Sequence, residues 1–115
     1  MTQFSLLGKR ALVTGGSRGI GRGLALGLAE AGADIVIIYR QAAAEADAVV
    51  QRIRDMGRQA YSMALDLADA SAIPRAIETI WEEAGPLDIL INNAGVAFLE
   101  SFDQVTIQSW DRTMN

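Results

Sequence analysis

The stretch Arg10-Ala11-Leu12-Val13-Thr14-Gly15-Gly16-Ser17-Arg18-Gly19-Ile20-Gly21 decides how the rest of this chain folds. Arg10 to Thr14 is a short apolar run of strand length. It leads straight into glycines at G-x-x-x-G-x-G spacing. From about Ile20 to Ala31 the chain reads as a helix, ended by Gly32, a residue suited to the left-handed position just past a helix. Gly15 permits a tight exit from the strand, at backbone angles where a side chain would clash. Gly19 lets another group approach the backbone closely, and Gly21 lets the helix pack against a sheet. The helix N-terminus then presents free N–H groups and the positive end of its dipole to whatever lies at the turn, which suits phosphate.

Outward from this unit the same rhythm repeats, with strands and helices alternating as βαβ units require. Asp34 to Tyr39 is a near-continuous β-branched run, as expected for a strand buried on both faces. Ala42 to Met56 carries a helical stripe of Ala46, Val49, Val50, Ile53 and Met56, stopped by Gly57. Gln59 to Leu65 is a weaker third strand. Asp69 or Ser71 is expected to cap the next helix, with Pro74 in its first turn and Ile73, Ile77, Ile80 and Trp81 on its buried side. Gly85-Pro86 breaks that helix, Leu87 to Asn92 is a fourth strand, and Thr106 caps a last helix. Right-handed crossovers predict an α/β fold, a Rossmann-type doubly wound parallel sheet of order 3-2-1-4. Strand four is then expected to carry an unpaired edge.

The turn is not a P-loop, because no Lys-Ser or Lys-Thr follows it. Between a strand and a helix, its spacing points to a nucleotide pyrophosphate. A second feature is Leu87-Asp88-Ile89-Leu90-Ile91-Asn92-Asn93-Ala94-Gly95. Two amides and a small-small pair at a strand's C-terminal end suit a backbone turning against a planar ligand. Spacing alone serves equally well for a plain turn whose amides bond local backbone.

Together these two features resemble the short-chain dehydrogenase/reductase family, with its Thr-Gly-x-x-x-Gly-x-Gly turn after strand one and Asn-Asn-Ala-Gly after strand four. The resemblance covers essentially all 115 residues, including Asp66 after strand three and Asp88. It implies that Gly15, Gly19, Ile20 and Gly21 line a pyrophosphate, with Ser17 and Arg18 in the same turn. It implies that Asp66 and Leu67 contact the adenine, Asp66 through its carboxylate; the bland alternative for Asp66 is a cap of the turn after it. Asn93, Ala94 and Gly95 are similar to the wall beside the adenine ribose. Asp88 resembles a structural residue of the family.

Strand two ends Ile37-Ile38-Tyr39-Arg40. An acidic side chain at this point would accept hydrogen bonds from a ribose 2′-hydroxyl and repel a 2′-phosphate. Tyr39 stands where NAD-using relatives tend to carry Asp. Arg40 follows with a guanidinium suited to phosphate, and Arg18 is a second cation. The expected cofactor is therefore NADP(H), with NAD(H) possible. The bland reading makes Arg40 a solvated surface charge.

Composition narrows the chemistry further. At 50% hydrophobic and 21% charged residues the chain can build a core, and its net charge of −4 gives no general attraction to nucleic acid or anionic membranes. With no cysteine and no histidine, thiolate nucleophiles, cysteine or histidine metal sites and the commonest general base are all excluded. The family's chemistry is hydride transfer between nicotinamide and a carbonyl or alcohol carbon, using a Tyr-x-x-x-Lys pair on one helix face. The tyrosines here are Tyr39 and Tyr61 and the one lysine is Lys9, so that pair is absent. Asn115 falls short of the family's catalytic Asn, and no residue is assigned to catalysis. The expectation is an incomplete NAD(P)-binding Rossmann domain over residues 1–115, the cofactor half of an oxidoreductase, inactive alone. Its setting would be cytoplasmic, its substrate a small carbonyl or alcohol, and its association homo-oligomeric or with the missing half. A non-catalytic nucleotide-binding scaffold is the first alternative. A methyltransferase of similar topology is more distant, since it would want an acidic end to strand two.

Overall fold

A computed structural model describes residues 5–15, 19–66, 68–92 and 95–98. Within them the chain runs β1 (Arg10–Thr14), α1 (Gly19–Glu30), β2 (Asp34–Tyr39), α2 (Ala43–Asp55), β3 (Ala60–Ala64), a 3-10 turn (Ala70–Ala72), α3 (Ile73–Ala84), β4 (Ile89–Asn92) and β5 (Gly95–Phe98). The elements expected from the pattern are all present within the described residues, displaced at their ends by one or two residues. The helix expected after Thr106 lies outside them.

The strands form one sheet in the order β3-β2-β1-β4-β5. β1 pairs in parallel with β2 and with β4, and β2 pairs in parallel with β3. This is the doubly wound order 3-2-1-4 with one strand added. The expected open edge on β4 is the correction. β5 pairs antiparallel with β4, Asn92 opposite Gly95 and Ile89 opposite Phe98, so a hairpin covers the edge.

Side-chain alternation along the strands builds two cores, one on each face of the sheet. Ala11 and Val13 of β1, Ile35 and Ile37 of β2, and Ile89 and Ile91 of β4 pack with Ala25 and Ala29 of α1 and Ala46, Val49, Val50 and Ile53 of α2. Leu12, Val36, Ile38 and Leu90 face the other way, against Ile73, Ile80 and Ala84 of α3 and against Leu87. Both faces of β1 and β2 are therefore dry, which is why their sequences are continuously apolar rather than alternating.

Two details of α3 differ from the sequence-based expectation. Its sheet-facing stripe is Ile73, Ala76, Ile80 and Ala84, and Ile77 is half-buried. Trp81, expected on the buried side, is 40% exposed, because one residue beyond Ile80 turns it about 100° around the helix. Neither Asp69 nor Ser71 caps α3 itself, whose N-cap is Ala72 with no side-chain bond. Asp69 instead closes the preceding 3-10 turn. Its Oδ1 accepts from the Ser71 amide at 3.1 Å and the Ser71 hydroxyl at 2.6 Å. Pro74 sits in the first turn of α3 as expected.

At the N-terminal edge of the sheet, Arg10 ties four segments together. Its guanidinium donates to the Pro86 carbonyl at 3.1 Å and to Gln59 Oε1 at 3.3 Å, and lies 3.8 Å from Asp34 Oδ2. Its backbone amide donates to Asp88 Oδ2 at 2.9 Å, and the Gln59 amide donates to Asp34 Oδ1 at 2.9 Å. Asp88 thus acts at the sheet edge opposite the glycine turn, in keeping with the structural part assigned to it.

Candidate functional site

The first two crossovers carry α1 and α2 over one face, and the third carries α3 over the other before β4 lands beside β1. The chain therefore departs in opposite directions from the C-terminal ends of β1 and β4. In an open parallel sheet this reversal leaves a crevice, and ligands bind there. Two hydrogen bonds cross its floor. The buried Thr14 hydroxyl donates to the Ile91 carbonyl at 3.4 Å, joining the ends of β1 and β4. The Gly15 amide donates to the Ile38 carbonyl at 2.9 Å, joining β1 to β2.

Gly15 has φ +67° and Gly19 φ +58°, so both ends of the glycine turn use left-handed backbone that L-residues seldom adopt. α1 begins at Gly19, and a Cβ built there would have no atom of the described chain within 4 Å. Among the described residues nothing crowds this position, and the dipole of a helix N-terminus favours an anion. Ile20, the next residue, is 84% exposed, the most exposed of the large apolar side chains described. Gly21 is half-buried.

β2 ends beside this turn. Tyr39 is half-buried and packs against the core shared with α1 and α2. Arg40 lies outside it in solvent. In the parallel register of β2 and β3, Tyr39 is opposite Ala64, and the Leu65 amide donates to the Tyr39 carbonyl at 2.9 Å. This register delivers Asp66 to Arg40, with Arg40 Nη2 3.8 Å from Asp66 Oδ2. The other carboxylate oxygen, Oδ1, accepts from the Ala68 amide at 3.0 Å. The turn-capping reading of Asp66 is therefore realised through one oxygen while the second faces the guanidinium.

Of the residues singled out from the sequence, Gly15, Gly19, Ile20, Gly21, Tyr39, Arg40 and Asp66 gather around the C-terminal ends of β1, β2 and β3. Gly95 opens β5 beside the end of β4. Ser17, Arg18, Leu67, Asn93 and Ala94 lie outside the described residues. The Arg40–Asp66 pair was not anticipated, although the register of two adjacent parallel strands carries the signal for it. Among the described residues no group of three or more acidic side chains is placed to hold a metal ion, and no helix is long and apolar enough to cross a membrane.

Known proteins share this fold. Over 114 residues the chain is 39% identical to a hydroxynaphthalene reductase of Aspergillus fumigatus, matching 99% of this chain and 42% of that protein. A short chain dehydrogenase from Burkholderia cenocepacia, solved in complex with NADP, superposes with a TM-score of 0.73 at 48% identity, covering 94% of this chain and 44% of the other. Carveol dehydrogenase from Mycobacterium avium, solved with NAD, superposes with a TM-score of 0.72 at 27% identity, covering 96% of this chain and 44% of the other. The chain thus spans less than half the length of these relatives. Residues 9–115 match the family described as short chain dehydrogenase, and the chain belongs to that family.

Proposed function

We propose that these residues form the dinucleotide-binding part of an oxidoreductase that uses NADP(H) in preference to NAD(H), acting on a small carbonyl or alcohol. The observation that carries the reading is the left-handed backbone of Gly15 and Gly19 before α1, with Arg40 at the end of the neighbouring β2 and no acidic side chain closing that strand. Gly15 and Gly19 leave room for a pyrophosphate, and the α1 terminus supplies N–H donors and a favourable dipole. Arg40, 70% exposed at its side chain, is free to turn its guanidinium onto a 2′-phosphate, where two parallel N–H donors suit phosphate oxygens. Asp66 offers a carboxylate acceptor to the adenine amine. Ser17, Arg18, Leu67, Asn93, Ala94 and Gly95 complete the proposed set on the strength of the family pattern.

A bound nicotinamide supplies the hydride chemistry. The residues of this sequence bind and orient the cofactor, and none is assigned the proton transfer, because neither tyrosine is followed by lysine four positions on. Residues 1–115 are on this reading one cofactor-binding domain. The solved relatives support either nicotinamide cofactor for the family, NADP in one and NAD in the other. The choice of NADP(H) rests on Tyr39 and Arg40.

The test is Arg40→Ala with NADPH and NADH titrated in parallel. Loss of a charged hydrogen-bonding partner weakens NADPH by about 1.5–3 kcal/mol and leaves NADH nearly unchanged. Equal losses for both nucleotides, or no binding of either by the unaltered chain, would overturn the reading.

A further inference from the structure

Arg40 and Asp66 are the two side chains that the proposed function assigns to the 2′-phosphate and to the adenine, and they face each other at 3.8 Å. We infer that this ion pair is a latch across the adenosine end of the site, so that Asp66 sets how strongly the site discriminates for a 2′-phosphate. The inference rests on the reading of Arg40 given above and adds a function for Asp66 beyond adenine contact.

The two partners are not equally free. Asp66 Oδ1 is held by the Ala68 amide at 3.0 Å, which orients the carboxylate and leaves Oδ2 towards β2. Arg40 is the mobile partner, a long side chain extending from the end of a strand into solvent. A ligand without a 2′-phosphate makes no demand on the guanidinium and leaves the pair intact. A ligand with one must draw Arg40 away from Asp66, so its binding is weakened by the strength of the pair. Asp66 Oδ2 has acceptor capacity for the adenine amine as well as for the guanidinium, so the adenine contact is open to a ligand with or without a 2′-phosphate. The latch thus lowers the preference for the phosphorylated nucleotide.

Both side chains are well exposed, and exposed pairs of this kind shift an equilibrium by about two- to fivefold. The readout is the ratio of affinities of 2′,5′-ADP and 5′-AMP, measured by NMR titration of the chain and its Arg40→Ala, Asp66→Asn and doubly substituted forms. Asparagine keeps an Oδ1 acceptor for the Ala68 amide, so the turn survives the change. Any weakened adenine contact affects both probes alike and cancels in the ratio. Asp66→Asn is expected to raise the ratio about two- to fivefold in the unaltered background, and by less than half that factor when Arg40 is absent. An unchanged ratio in Asp66→Asn overturns the latch alone. So does a gain that persists undiminished without Arg40, which would make Asp66 a simple repulsive charge. A ratio that Arg40→Ala fails to lower overturns the phosphate assignment itself, and the latch with it.

Discussion

Replacing Gly19 with alanine separates the backbone requirement of the glycine turn from its proposed task. At φ +58° an L-residue is disfavoured by roughly 1–2 kcal/mol. The added methyl meets no atom of the described residues within 4 Å, so no clash with them adds to that strain. Gly57 provides a matched control. It has φ +88° with the same empty surroundings, but it follows α2 at the opposite end of the sheet from the glycine turn. Both substitutions should therefore destabilise the chain by about 1–2 kcal/mol, lowering Tm by roughly 4–12 °C for a domain of this size. Only Gly19→Ala should disturb the nucleotide. A methyl forced into a filled contact costs about 1–3 kcal/mol, which weakens NADPH about 5- to 150-fold. Thermal unfolding by circular dichroism and calorimetric titration, the latter well below either Tm, measure the two effects separately. If Gly19→Ala loses stability like Gly57→Ala and still binds NADPH as tightly as the unaltered chain, the space before α1 is not where the pyrophosphate sits, and the turn is only a turn.

Other substitutions probe the framework and the charge at the site. Arg10→Met removes two guanidinium hydrogen bonds and the approach to Asp34. It should destabilise the chain by about 1–3 kcal/mol with the NADPH Kd unchanged, as denaturant titration and binding together would reveal. Gly32→Ala should be worse than Gly57→Ala in the same unfolding assay. Its φ is +115° and its Cβ would lie 2.9 Å from the Leu7 backbone nitrogen, so strain and overlap combine. Leu12→Ala empties a fully buried position between the sheet and α3. A loss of about 2–5 kcal/mol would consume much of the roughly 5–15 kcal/mol available to a domain, visible as a broadened or absent unfolding transition. Raising ionic strength from about 0.02 M to about 0.5 M should shrink the preference for NADPH over NADH several-fold, because the exposed Arg40 is strongly screened. A salt-independent preference would point away from a charge contact.

Much of this fold is legible because its signals are local and agree with one another. The β-branched run Asp34–Tyr39 can be little else than a buried strand, and glycines at 32 and 57 end helices at positive φ as their placement implies. What escaped depended on contacts between elements. Trp81 looked buried because it is large and apolar, whereas the small Ala76 and Ala84 complete the stripe that meets the sheet. β5 is only four residues long, Gly95-Val96-Ala97-Phe98, and follows a turn whose amides already accounted for themselves as a strand ending. Its antiparallel return onto β4 is a pairing decision that no single short apolar run announces. In the site, Tyr39 and Arg40 could be placed from the end of β2 alone. The neighbouring position of Asp66, 26 residues later, needed the β2–β3 register.

The two ends of the sheet put polar groups to opposite uses. At the N-terminal edge Arg10, Asp34, Gln59 and Asp88 bond one another and nearby backbone, which ties β1 to the segments entering β2, β3 and β4. At the C-terminal edge the bonds of Thr14 and Gly15 close the floor, while Ile20, Arg40 and Asp66 stand in solvent above it. An exposed isoleucine on a helix terminus and an ion pair of small worth add little to folding. Their arrangement is understandable when the missing contacts come from a ligand that is apolar at one part and anionic at another. The same βαβ connectivity that closes one edge opens the other, because right-handed crossovers force the chain to part at the end of β1. Stability and recognition are thus separated by the length of a five-residue strand, which allows the residues around Arg40 to vary without loosening the clasp around Arg10.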